Sequence, residues 1–340
     1  MRDFKKAIVV LACILALIVA LTGCSSSIAG EKQVDTKAKQ VVIYTNADKE
    51  ATEAIERTLN DAGYTGKYVL KTMGTSELGG KLMAEGNKIE ANLITMSSYF
   101  IESAQEKNNM FCNMPFTVNA LGKTPAYYAP VLANTSVLFV NTQILKEKNL
   151  AMPTSIKDLT ADQYKDLVAI PNIMHSSTAW LMIQAVISQY GEAEGQEILQ
   201  KLIANCGPHI EASGSGPIKK VRAGEVAAGF GIRHQAVMDK NSGKPMDYVD
   251  PSEGNFSLVE AVAIVDKEQS DPATTKFAGE MAKVIVEKAR AELIKYYPVE
   301  LYQGEAVDTI NKPTNSKTFA QPLTVELLAE HQKFFKAAQN

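Results

Sequence analysis

The strongest constraint on the fold is an alternation that begins at residue 41. Val41-Val42-Ile43-Tyr44-Thr45 is a short β-branched run, the pattern of a strand buried on both faces. Residues from about Lys49 to Asp61 then place Ala51, Ile55 and Leu59 on one helical face, with Gly63 as the stop. Tyr68-Val69-Leu70 returns to strand. Gly74-Thr75-Ser76 opens a segment in which Leu78 and Leu82 recur at helical spacing. Asn92-Leu93-Ile94-Thr95-Met96 is a third strand, and Ser97-Ser98 begins another helix. A β-α-β-α-β order predicts a parallel sheet covered by helices, an α/β fold.

The same rhythm continues further on. Ser136 to Asn141 is a buried-strand candidate that carries the chain into a second lobe. Lys165 to Ile170 reads as a strand ending at Pro171, and Ser177 to Tyr190 as a helix with Trp180, Ile183 and Ile187 on one side. Gly224 to Gly231 gives another strand. Val259 to Val265 reads as a strand returning to the first lobe, and Lys276 to Tyr296 as a long amphipathic helix. The expected division is lobe one at 40–134 plus 257–305 and lobe two at 135–256 plus 306–340.

In open α/β sheets, ligands sit beyond the C-terminal ends of strands, at helix N-termini. Hydroxyls and glycines gather at those places here. Gly74-Thr75-Ser76 follows the second strand and Ser97-Ser98 the third, while Asn134-Thr135 precedes the crossover. His175-Ser176-Ser177-Thr178, Ser213-Gly214-Ser215-Gly216-Pro217 and Arg233-His234 follow strands of the second lobe. Free N–H groups and the helix dipole at such positions suit an anion. Each site alone also reads as an ordinary N-cap or turn.

The N-terminus adds a destination. Arg2, Lys5 and Lys6 precede an apolar run from Ala7 to Leu21, shorter than the ~20 residues of a spanning helix, as in a secretory signal. It ends in Leu21-Thr22-Gly23-Cys24, which resembles a bacterial lipobox. The expectation is a signal peptide at 1–23, a lipid on Cys24 such as palmitate, and a polar tether at 24–39. The protein is then exported and anchored to the outer face of the cytoplasmic membrane, in the periplasm where an outer membrane exists. Excluding Cys13 and Cys24 leaves Cys112 and Cys206, paired or unpaired.

Catalytic and metal signatures are absent from the sequence. Ser213-Gly214-Ser215-Gly216 lacks the strand-nucleophile-helix context of a hydrolase elbow. Gly122-Lys123-Thr124 ends like a phosphate loop, but Thr117 stands where its first glycine is needed. The four histidines, His175, His209, His234 and His331, are scattered, without metal-ligand spacing. A net charge of −3, from 35 Lys+Arg against 38 Asp+Glu, argues against a nucleic-acid binder. No enzyme, cofactor or metal is therefore expected, although a lipid-anchored paired-carboxylate hydrolase stays open as the rival class.

The lipobox, the Val-Val-Ile-Tyr-Thr strand, the Gly-Thr-Ser turn and the two-lobed alternation together resemble the extracellular solute-binding proteins of bacterial ABC importers. The resemblance covers about Val41 to Phe335 and points to the branch that binds ferric iron, thiamine, polyamines or phosphonates. It implies the type II periplasmic-binding-protein fold, two α/β lobes closing like a hinge, acting as a monomer beside a membrane permease. Ferric-binding members carry a tyrosine pair where this chain reads Gly231-Ile232-Arg233-His234-Gln235. An arginine there shifts the implied ligand to an anion. Ser213-Gly214-Ser215-Gly216-Pro217, Gly229 to Gln235, Glu253 to Leu258 and Tyr297 to Tyr302 resemble the 2-aminoethylphosphonate-binding group. The implied oxyanion ligands are Thr75, Ser76, Ser176, Ser177, Thr178 and Arg233, with Ser97, Thr135 and His234 as second choices. Glu253 or Glu77 would receive the ligand's ammonium. The competing reading of Arg233 is a structural salt bridge. The alternative cargoes are another small anion, such as phosphate or a carboxylate, or ferric iron.

Overall fold

The computed structural model describes residues 40–307 and 312–339. The expected signal peptide, Cys24 and the expected tether, all within residues 1–39, lie outside the described residues, as do residues 308–311 and 340.

The first alternation forms as its pattern predicts. Strand β1 (Val41–Thr45) leads into helix α1 (Lys49–Leu59), whose first turn is capped by Asp48 accepting from Ala51 N at 3.0 Å. Then come β2 (Tyr68–Thr72), α2 (Thr75–Glu85), β3 (Leu93–Ser97) and α3 (Ser98–Asn108). β1 pairs in parallel with both β2 and β3. Ile43 and Leu93 pack on one face with Ile55 and Leu59 of α1. Tyr44, Ile94 and Met96 pack on the other with Leu78 and Leu82 of α2. Both faces are covered, which is why these strands read as apolar runs without alternation.

After β4 (Phe111–Cys112) the chain enters β5 (Tyr128–Asn141), fourteen residues and about 45 Å long. The second part of the molecule contains β6 (Val168–Pro171), α4 (Ser177–Cys206), β7 (Ile210–Glu211), α5 (Gly216–Arg222), β8 (Ala228–Ile232), α6 (Arg233–Asn241) and β9 (Met246–Val249). β10 (Ser257–Val265) then returns, followed by α7 (Pro272–Val284) and finally α8 (Val325–Ala337). The sheet order is β2-β1-β3-β10-β5-β8-β6-β7, with β4 on β10 and β9 on β5.

β5 belongs to two half-sheets. Its first half, Tyr128 to Thr135, pairs antiparallel with β10. Its second half, Ser136 to Asn141, pairs with β8 and β9. β10 also pairs with β3, so the chain does return to the first half-sheet after visiting the second. The α/β, two-lobed type II architecture is the one observed.

Two helices differ from their sequence outline. α4 runs past Tyr190 to Cys206 through a kink at Gly191, whose φ of 72° only glycine adopts cheaply. The segment expected as one helix over 276–296 starts at Pro272 and passes through a π turn at Ile285–Ala289 before Arg290–Leu293. Cys112 and Cys206 are both free thiols, and burial pushes the Cys112 thiol up to about 11. No helix among the described residues is long and apolar enough to cross a membrane.

Candidate functional site

The C-terminal ends of β1, β6 and β8 and the loop after β2 open onto one cavity of about 250 Å³, at the junction of the two half-sheets. From the first half-sheet it is lined by Asn46, Ala47, Asp48, Met73, Gly74, Thr75, Asn134 and Glu260. From the second come His175 to Thr178, Ala212 to Ser215, and Ile232. The volume lies below the ~300–1,000 Å³ of pockets for drug-sized ligands, so it suits a small metabolite. A larger groove of about 770 Å³ runs along the outer face of α7, past Thr275, Lys276 and Glu280, away from those strand ends.

One wall of the cavity is rich in donors. α2 begins at Thr75 after the Gly74 N-cap, and α4 begins at Ser177 after the Ser176 N-cap. Ser176 accepts from Thr178 N at 3.3 Å. The loop bearing Ser213 and Ser215 lies against the α4 start so closely that a Cβ on Gly214 would come within 2.2 Å of Thr178 Oγ1. The hydroxyls and first-turn N–H groups thus converge from two half-sheets on one volume.

A second part of the wall is rich in acceptors. Glu260, on β10, is 4% exposed and accepts from Ser97 Oγ at 2.9 Å and Asn134 Nδ2 at 3.4 Å. The Asn46 amide orientation that satisfies both its ends donates to Glu260 Oε2 at 3.0 Å and accepts from Thr75 Oγ1 at 3.0 Å. Burial pushes the Glu260 carboxyl up to about 7, against the donors that hold it down. Asp48 accepts from Tyr297 OH at 2.6 Å, and Asn134 Oδ1 is buried without a partner.

A second cluster lies beside the cavity. His234 Nε2 sits 3.6 Å from Asp48 Oδ2 and 3.8 Å from Glu50 Oε2, and its ring packs on Tyr297 at 4.3 Å. Gln235 Nε2 donates to Glu50 Oε2 at 3.3 Å. The imidazole beside it holds the Glu50 carboxyl down to about 2. The atoms of Asp48, Glu50 and His234 lie within 4.8 Å of one another, close enough to hold a cation.

The sequence-derived candidates divide sharply. Thr75, Ser176, Ser177 and Thr178 line the cavity. Ser97 lies beneath it, spent on Glu260. Ser76 Oγ donates instead to Met174 O at 2.7 Å, bridging α2 to the loop before α4. Thr135 shares a hydrogen bond with Ser257 at 2.7 Å and does not line the cavity. Arg233 requires a correction: it is not a lining residue. Its Nε donates to Asp250 at 3.1 Å, its Nη2 to Lys312 O at 3.2 Å, and it stacks over Tyr248. Glu253 requires another. It is fully buried away from the cavity, accepting from Ile156 N, Lys157 N and Tyr190 OH, each at 3.0 Å. Glu77 is exposed on α2. Asn46, Asp48 and Glu260 were not singled out. Asp48 could have been found as the N-cap at the end of β1, but Glu260 sits inside an apolar strand and gives no signal.

Comparison with known proteins agrees with this fold. A family described as bacterial extracellular solute-binding protein matches residues 90–316. Among solved structures the chain is similar to the periplasmic binding protein AfuA from Actinobacillus pleuropneumoniae, described with fructose-6-phosphate bound. The identity is 20%, the TM-score 0.66, and the coverage 88% of this chain and 95% of that one. A periplasmic thiamin binding protein is 17% identical at a TM-score of 0.70, covering 93% and 98%. Iron-bound HitA from Pseudomonas aeruginosa is 18% identical at 0.64, covering 88% and 98%. At such identities the likeness is one of fold. An uncharacterized protein of Haemophilus influenzae is 29% identical over 127 residues, and the match spans 37% of this chain and only 36% of that relative.

Proposed function

The chain belongs to the bacterial extracellular solute-binding protein family, a family of binding proteins and not of enzymes, and from that premise we propose that it is the receptor of an ABC importer for a small phosphonate. 2-Aminoethylphosphonate is the first candidate. The observation that carries the reading is the donor wall. Ser176, Ser177 and Thr178, with Ser213 and Ser215, present hydroxyls, and the helix starts at Thr75 and Ser177 present N–H groups, to one small cavity from two half-sheets. A tetrahedral oxyanion accepts many hydrogen bonds in all directions, and such a cage supplies them without a cation. The arginine fork implied by sequence is not needed for this, since Arg233 is held by Asp250.

The half-sheets share the long strand β5, which pairs with β10 up to Thr135 and with β8 from Ser136. We read them as lobes that close on the ligand, and the closed form as what a membrane permease recognises. In this reading the protein works as a monomer, exported and held at the membrane by a lipid on Cys24. Cys24→Ala should then abolish lipid labelling.

Titration calorimetry of the purified protein with 2-aminoethylphosphonate, phosphate and ferric citrate tests the cargo. The expected result is one-to-one binding of the phosphonate, tighter than phosphate. Ferric binding with no response to phosphonate would overturn it. The Asp48, Glu50 and His234 cluster is the feature that favours a cationic cargo as the second reading.

A further inference from the structure

We propose that Glu260 and Asp48, flanking the unpaired carbonyl oxygen of Asn134, form an ammonium subsite, so that the cavity selects zwitterionic aminoalkylphosphonates over simple oxyanions. The inference rests on the phosphonate reading above and adds the selectivity of the same site. Its ground is the polarity of the cavity. No lysine or arginine is among the lining residues, while two carboxylates are. A bare oxyanion would face these acids in a small, poorly solvated volume, where like charges repel most. A ligand bearing an ammonium group at its other end turns that repulsion into attraction.

The acid wall is also built to accept. Glu260 has its donors from Ser97, Asn134 and Asn46, leaving acceptor capacity on a carboxylate of about four lone-pair sites. Asp48 is fixed by Tyr297 and by its cap to Ala51. Asn134 Oδ1 is a buried acceptor with no donor. An ammonium has three donors and no acceptor, which matches this set. The titratable groups that face Glu260 are Asp48 at the start of α1, Tyr99 on α3 and Tyr297, with His234 next to Asp48. None of the acids and tyrosines brings a positive charge. Near neutral pH the buried carboxyl is therefore partly protonated, and an arriving ammonium should expel that proton.

The test is calorimetry of the full protein at pH 7 with 2-aminoethylphosphonate and methylphosphonate, in two buffers of different ionisation enthalpy. The expected result is at least tenfold tighter binding of the aminated ligand, with proton release for that ligand only. Glu260→Gln should cut its affinity tenfold or more and leave methylphosphonate unchanged or tighter. Asp48→Asn, which keeps the helix cap, should act in the same direction. Thermal melts report whether each variant folds, and the proton release is read on the unmutated protein in any case. Equal binding of the two phosphonates, or equal loss of both in Glu260→Gln, overturns the ammonium subsite while the phosphonate reading stands. Binding of neither phosphonate overturns both.

Discussion

A carboxyl group shut away from water must find donors or keep its proton, and Glu260 does some of each. Three neighbours donate to it, yet burial still lifts it from 4.5 to about 7. The sign of the stability effect follows. A carboxyl raised in the folded state contributes fully below about pH 4.5 and loses that contribution as pH rises through about 7. At ~1.4 kcal/mol per pH unit the loss is a few kcal/mol at most. Glu260→Gln should therefore melt higher than the unmutated, ligand-free protein at pH 8, and the gain should vanish near pH 5. Paired melts at the two values check this, and a gain that does not depend on pH would show that Glu260 titrates as an ordinary carboxyl. The residue scale is also where sequence reading fails most plainly. Arg233 and Glu253 lie in stretches that resemble a ligand site, but their partners are Asp250 and the Ile156-Lys157 backbone. Nothing in the local sequence distinguishes a satisfied buried charge from a waiting one, because satisfaction is decided by tertiary neighbours.

Elements carry the site through their ends. The loop Ala212 to Ser215 touches the first turn of α4, and Gly214 permits that approach. A Cβ there would meet Thr178 Cβ at 2.8 Å as well as Oγ1 at 2.2 Å, so the side chain would have to swing into the cavity. Gly214→Ala should weaken ligand binding about tenfold or more while shifting the melting temperature by only a few degrees. Calorimetry and a melt on the same sample separate the two effects, and unchanged affinity would mean that the donor wall does not hold the ligand. These helix starts were legible in the sequence because hydroxyls and glycines cluster at the ends of β-branched runs, and β1, β2 and β3 are such runs. The second half of β5 was legible for the same reason. Its first half was not, since Pro130 and the two alanines Ala129 and Ala133 carry no strand signal, and pairing with β10 alone makes it a strand. α8 was missed too. It is fixed by packing on α4, where buried Trp180 donates to His331 at 2.7 Å. Burial holds that histidine below its ordinary value of 6.5. Its neutral form therefore stabilises the fold above that pH, and the contribution is lost as pH falls through the lowered value. His331→Ala strands the indole N–H and should cost about 1–3 kcal/mol at pH 7, read by denaturant melts.

At the scale of the molecule, the question is what sets the balance between open and closed. β5 is continuous through the junction, β10 begins there, and Thr135 with Ser257 marks where pairing passes from one half-sheet to the other. Only a few polar contacts reach across the mouth of the cavity. Ser76 reaches Met174, Gln235 reaches Glu50, and His234 faces Asp48 and Glu50. The last group is electrostatic, and the depressed Glu50 carboxyl shows that the attraction is felt on the acid side. Because the group spans the two half-sheets, on the lobe-closure reading proposed above its attraction exists only in the closed arrangement and biases closure even without ligand. A pair of this kind, with His234 buried and Glu50 partly exposed, is worth about 1 kcal/mol, which corresponds to about fivefold in the closed population. Glu50→Gln should lower the apparent ligand affinity by about that factor, because ligand must then supply the missing closure energy. The same variant should enlarge the radius of gyration of the ligand-free protein in small-angle scattering, and saturating ligand should restore the compact value. Both readouts are needed, since Glu50 does not line the cavity and a loss of affinity alone could come from distortion of α1. An affinity loss with no change in size would place the effect inside the site, and the contacts of His234 with Asp48 and Glu50 would then have no role in closure.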